Sequence, residues 1–188
     1  MRLGEARVKP VEQTDWSPEQ QELMAPLVRR GVALNIFKTM AGYPASFRAF
    51  MVWARYILGT SALPVREREI AILRTGYLCR AGYEWAQHVP IGKRAGLTDE
   101  EIEAIKRETT ARAWSPADEA ILKAADELHR DQFVSSSTWA AVCEHFDENQ
   151  RLDLVYTIAQ YTQVSMILNT FGVQLEDGLT LDPDLDGR

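Results

Sequence analysis

Residues 66–97 read REREIAILRTGYLCRAGYEWAQHVPIGKRAGL. Ile70, Leu73 and Tyr77 recur at helical spacing, and Ile72 widens the apolar face. The first half is therefore a helix with a broad buried side. The pattern weakens over Leu78–Gly82, and a second helix carries Tyr83, Trp85, His88 and Val89. Pro90 falls late in that helix, where a missing N–H predicts a kink or an early end. A break between two helices lets them fold against each other. The stretch holds three acids, one His, one Cys, several Arg and a Trp in an apolar-periodic region, which makes it the candidate chemical centre.

Working outward, the flanking segments also read as helices. Ser17-Pro18 is a helix start, with Ser as N-cap and Pro at the first helical position, and the helix ends near Arg30-Gly31. Asn35–Met40 is short and apolar. Pro44 opens a helix through Phe47, Phe50, Met51, Ala54 and Leu58 that Gly59 and Pro64 close. Thr98 with Asp99, Glu100 and Glu101 starts a helix running to about Lys106. Ser115-Pro116 starts another through Ile121, Leu122, Ala125 and Leu128, and Ser137 caps the next. Glu148–Asn169 is a long apolar-periodic helix. No segment carries the alternation and turn chemistry of a sheet, so the class is all-α. We expect a single domain over residues 1–188, with an extended arm over 1–15 and a loosely held tail over 176–188. Placing Glu69 on Arg151 aligns Ile70 with Leu152, Ile72 with Leu154 and Leu73 with Val155 without a gap. Two core helices of a pseudo-repeat would give that register, and so would any two amphipathic helices.

Composition narrows the function. The 188 residues carry a formal net charge of −6, which is no electrostatic footprint for nucleic acid. The longest apolar runs fall far short of a membrane span. Met1–Gln13 has no apolar core of a secretory signal, and two Cys make no disulfide framework. The expectation is a soluble cytoplasmic protein.

Glu84 and His88 stand four residues apart and share one side of a helix. Such a pair is either a solvated surface couple or an acid/base couple in which the carboxylate fixes the ring and raises its pKa. Tyr83 and Trp85 flank it and are candidate walls of a dry pocket. The break at Leu78–Gly82 would bring Glu69 toward the pair. Metal binding is the rival chemistry, with Glu84 and His88 as two ligands and Glu69, His129 or His145 as a third. Cys79 reads as a buried small hydrophobe or, less simply, a nucleophile. Arg66, Arg68, Arg74 and Arg80 either pair with Glu67 and Glu69 on the surface, or Arg74 is held inward to bind a substrate carboxylate.

Arg68-Glu69-Ile70-Ala71-Ile72-Leu73-Arg74, followed by Tyr83-Glu84-Trp85-Ala86-Gln87-His88, resembles the carboxymuconolactone decarboxylase family of the AhpD-like fold. The resemblance is best over Pro64–Leu97 and extends through Asp118–Leu175, including Asn169-Thr170-Phe171-Gly172-Val173. It implies an all-α bundle that assembles into homo-oligomers, commonly trimers or hexamers, with sites near subunit contacts. One branch uses a Glu, a Cys-x-x-Cys pair and a His. Its Glu falls on Glu69, its His on His88, and its two thiols on Ala81 and Glu84, so thiol peroxidase chemistry is disfavoured. The decarboxylase branch fits better. Its reference reaction converts 4-carboxymuconolactone to an enol-lactone without metal or organic cofactor. By that resemblance His88 moves a proton on the substrate carbon, Glu84 orients or relays, Glu69 supports the pair and Arg74 holds a carboxylate. The expected partner is a small carboxylated lactone or related compound. The alternative is a non-catalytic small-molecule-binding or assembly protein on the same scaffold.

Overall fold

The run Ile70–Leu73 offers no polar face to solvent, and in the computed structural model of the chain it meets none. The structure describes residues 3–107 and 114–186. Among them are nine α-helices and no strand: α1 (Pro18–Arg29), α2 (Asn35–Met40), α3 (Pro44–Gly59), α4 (Val65–Leu78), α5 (Gly82–Arg94), α6 (Asp99–Ile105), α7 (Pro116–Asp131), α8 (Ser136–His145) and α9 (Glu148–Phe171). Every residue of α4 from Arg68 to Gly76 is buried. Helices α5, α7 and α9 surround α4. One of its sides, with Ile70, Ala71 and Leu73, joins Ile121 and Ala125 of α7, Leu154 and Ile158 of α9, and Trp85 in the main core. The other packs Ile72 against Ile57 of α3 and Tyr161 of α9. Each such aliphatic side chain contributes about 1.5–3 kcal/mol on burial.

The α4–α5 break falls where the weakened periodicity puts it. Arg80 takes a left-handed φ of 54°, and the Ala81 N–H returns to the Gly76 carbonyl at 2.8 Å. Asn169 of α9 donates to the Cys79 carbonyl at 2.9 Å and pins the turn. The two helices then pack closely. A Cβ at Gly92 would lie 3.0 Å from Leu97 Cδ1 and 3.2 Å from Leu73 Cδ1, a spacing that favours glycine.

Several expectations need correction. Helix α5 does not end early but runs through Pro90 to Arg94. Pro90 is on the exposed side, where water can satisfy the Ala86 carbonyl that loses its N–H partner. Ser135, not Ser137, caps α8, because its hydroxyl accepts from the Thr138 N–H. Helix α9 is continuous over the positions that the pseudo-repeat register places on the α4–α5 break, so the two segments do not take the same path. The described part of the tail is anchored rather than loose. Leu185 is 2% exposed within the main core, and Lys106 reaches Asp182 at 2.6 Å. Residues 187 and 188 of the tail and 1 and 2 of the arm lie outside the described residues. In the arm, the Arg7 and Val8 N–H groups donate to the Phe171 carbonyl, and Gln13–Asp15 forms a 3-10 turn.

The N-terminal helices form a second layer. Trp16, Met24, Leu27, Ala41 and Phe47 make their own core, and Ile36 joins Tyr83, Val164, Leu168 and Val173. This layer covers one side of α5 and α9 incompletely and leaves a cavity between them. Among the described residues no helix is long and apolar enough to cross a membrane.

Candidate active site

Glu69 faces α5 from the buried length of α4. Helical spacing puts Glu84 and His88 on the side of α5 that faces both α4 and α9. Three side chains separated in sequence therefore meet. His88 Nδ1 lies 2.7 Å from Glu69 Oε2, and His88 Nε2 lies 2.9 Å from Glu84 Oε1. From α9, the Tyr161 hydroxyl comes within 3.2 Å of Nε2, with its ring edge-on to the imidazole. All are buried; Glu69 is 0% and His88 6% exposed. Arg68 backs the set, its Nε 3.8 Å from Glu69 Oε1. That is an ion pair at a distance beyond a hydrogen bond.

Burial by itself pulls the His88 pKa down. It is outweighed by the Glu84 charge, hydrogen bonds to Glu69 and Glu84, and the Glu69 charge, which together push the ring up to about 10. At neutral pH His88 is an imidazolium between two carboxylates. Burial, and then the charges of Glu84 and Glu69, hold the Tyr161 hydroxyl well above its ordinary range, so it stays a phenol. Its oxygen and Glu84 Oε1 compete for the proton on Nε2.

The set opens into a cavity of about 660 Å³ between the N-terminal layer and helices α5 and α9. That is the size of a small-molecule site. Leu27, Ile36, Phe37, Phe50, Met51 and Ile57 supply apolar wall; Glu84, His88 and Tyr161 form a polar floor. Glu69 stands behind His88 and does not line the cavity.

Other expected residues separate. Tyr83 lines the cavity and donates to Glu176 Oε1 at 2.7 Å, which ties α5 to the segment after α9. Gln87 donates to the other oxygen of Glu176. Trp85 is no wall of the cavity. It points into the main core, beside Tyr77 and under the Lys106 ammonium at 5.5 Å, because its position on α5 faces away from the Glu84–His88 side. Arg74 is turned inward, as expected, but onto protein. Its Nε donates to Asp126 at 2.6 Å, and Nη1 donates to the carbonyls of Ile105 and Arg107 at 2.6 and 2.7 Å. It holds the end of α6 to α7 and does not line the cavity, so it is not a substrate ligand. We predict that Arg74→Met lowers the unfolding free energy by about 2–4 kcal/mol, by leaving those acceptors unpaired. Urea denaturation checks this, and the affinity for small carboxylates should not change.

The metal alternative does not match the geometry. Glu69 and Glu84 sit at opposite ring nitrogens of His88, and His129 and His145 belong to other helices. Among the described residues no group of three His, Cys, Asp or Glu converges as a metal site. Cys79 lies outside the cavity lining, 3.7 Å from His129 Nδ1, and burial pushes its thiol up. Cys143 Sγ accepts from Arg151 at 2.9 Å.

Sequence reasoning missed Tyr161, Gln160, Arg30 and Arg55, all of which line the cavity. Arg55 did carry a signal, as the lone cation within the apolar run Phe50–Leu58. Gln160-Tyr161 is likewise a polar pair at core positions of α9.

The family model for the carboxymuconolactone decarboxylase family matches residues 44–127, which include Glu69, Glu84 and His88. A search of curated proteins gave no match. Among solved structures, an alkylhydroperoxidase AhpD core, an uncharacterized peroxidase-related protein from Ralstonia eutropha JMP134, shares 20% identity at a TM-score of 0.78, over 92% of this chain and 93% of its own. A peroxidase-related protein from Silicibacter sp. TM1040 shares 12% at 0.77, over 93% and 95%. The debrominase Bmp8, as a Cys-to-Ala variant in complex with 2,3,4-tribromopyrrole, shares 16% at 0.76, over 93% and 94%. These identities establish a shared fold. Over residues 44–127 the chain is similar to the carboxymuconolactone decarboxylase family, and over nearly its whole length it shares the fold of the AhpD-like structures.

Proposed function

We propose that the protein is a cofactor-independent lyase of the decarboxylase type, acting on a small carboxylated lactone or a related compound. The observation that carries this reading is the His88 ring, held at both nitrogens between Glu69 and Glu84 at the floor of an apolar cavity. The match of residues 44–127 to the family model supports a catalytic role.

In such a reaction the bond between the ring carbon and its carboxylate breaks, and CO2 leaves. The electron pair passes into the conjugated lactone carbonyl, which is the substrate's own electron sink. The resulting dienolate then takes one proton on carbon. His88 Nε2 supplies it, and the neutral ring regains a proton from water. Glu69 holds Nδ1 and keeps the ring aimed, while the imidazolium stabilises the negative charge that develops on the substrate. Glu84 is a fixed negative charge at the same floor, which disfavours a carboxylate and favours neutral CO2. Thiol chemistry lacks support, since positions 81 and 84 are Ala81 and Glu84 and Cys79 is outside the cavity lining.

The test is turnover of 4-carboxymuconolactone and related lactone acids in D2O. The expected result is one CO2 per substrate consumed and one deuteron on the product ring. If no carboxylated lactone in the panel is consumed, or if product forms without CO2, the reading is wrong.

A further inference from the structure

The polar groups of the cavity fall into two sets, and only the floor is used above. Arg30, at the end of α1, and Arg55, in α3, also line the cavity and are exposed, so they stand at its mouth. Neither side chain has an ion-pair or hydrogen-bond partner among the described residues. Elsewhere Arg48, Arg66, Arg74 and Arg130 each pair with a carboxylate. Gln160 lines the cavity from α9, next to Tyr161 in sequence. It is 4% exposed, and its amide has no hydrogen-bond partner among the described residues.

Both features point to a ligand. The Gln160 amide has no protein partner among the described residues and opens onto the cavity, so its N–H is available to a ligand oxygen. Two guanidinium groups at the mouth of an apolar cavity, on a chain of net charge −6, supply local attraction for an anion that the molecule as a whole repels. Guanidinium groups also match a carboxylate geometrically.

We propose that Arg30 and Arg55 bind a carboxylate of the substrate at the mouth, and that Gln160 donates to a ring carbonyl oxygen beside His88. This rests on the decarboxylase-type reading and names the unreacting end of its substrate. The molecule then carries two carboxylates, one held at the mouth and one lost at the floor. Arg30 and Arg55 take the anchoring role that the sequence alone suggested for Arg74.

Calorimetric binding tests this without relying on turnover. The probes are muconolactone, which has the lactone carbonyl and one carboxylate, and 3-phenylpropanoate, which has only the carboxylate, each beside its methyl ester. The wild-type protein should bind each acid about tenfold tighter than its ester, the size expected for one charge-assisted contact in a partly wet site. Arg30→Met/Arg55→Met should abolish that preference and leave ester affinity unchanged. Gln160→Leu should weaken muconolactone and its ester alike and leave phenylpropanoate unaffected. Arg48→Met, which breaks only an exposed pair with Glu19, should change nothing. The arginine assignment is overturned if neither acid binds, if acids bind no better than esters, or if the double variant keeps the preference. The Gln160 assignment is overturned if Gln160→Leu weakens phenylpropanoate as much as the lactone. Arginine-dependent binding of phenylpropanoate with no binding of muconolactone sinks the lactone reading and leaves the arginine clamp standing.

Discussion

His88→Gln is expected to lower turnover by about 10³-fold or more, the range for losing a positioned proton donor. It should also destabilise the fold near neutral pH. Glu69 and Glu84 are both buried, and the imidazolium is the cation between them. Glutamine leaves two carboxylates facing an uncharged amide, which can donate to only part of what the ring satisfied. Removing one partner of a buried ion pair costs about 3–5 kcal/mol. Urea midpoints at pH 7.5 should separate widely from wild type, and a variant with normal stability there would place solvent, not protein, around the two carboxylates.

Glu69→Gln should act through His88 rather than on the substrate, because Glu69 does not line the cavity. The ring keeps Glu84 but loses one of the two negative charges that raise it, so its pKa should fall from about 10 toward the ordinary value. Activity that depends on the imidazolium should then be near wild type at pH 6 and strongly reduced at pH 8.5. The stability profile should move with it. A raised native pKa contributes stability fully below about 6.5, the ordinary histidine value, and that contribution is lost as pH rises through about 10. In Glu69→Gln the same loss should come at lower pH. Arg68 also loses the carboxylate 3.8 Å from its Nε, which adds to the destabilisation. Paired pH–rate and pH–denaturation profiles check both parts. An alkaline limb in the same place as wild type would mean that Glu69 does not set the ring's charge.

Much of the scaffold was legible because short-range chemistry writes it. Ser17-Pro18, Pro44, Thr98 and Ser115-Pro116 start helices where capping and proline rules put them, and the break before Gly82 follows lost periodicity. The meeting of Glu69 with His88 was legible from that break and the spacing of Glu84 and His88. What escaped was set by packing across helices. Arg74 and Trp85 are as buried as expected, but burial alone does not say which side of α4 or α5 faces a cavity and which faces α6 and α7. Tyr161 joins the site from 73 residues away on a helix whose own pattern only says that it is buried. Arg30 and Arg55 gain meaning only once a second layer closes over α5. Pro90 does not end α5, because its cost depends on whether water reaches the freed carbonyl, a property of the assembled surface.

The charge of His88 is what every step here depends on. It can be read by ¹⁵N NMR of the protein with labelled histidine, following the His88 ring from pH 6 to 11 and assigning it through His88→Gln. The structure predicts both ring nitrogens protonated at pH 7, with titration near 10. A ring already neutral at pH 7.5, with one bare nitrogen, would contradict the imidazolium between Glu69 and Glu84 and with it the proposed proton donor.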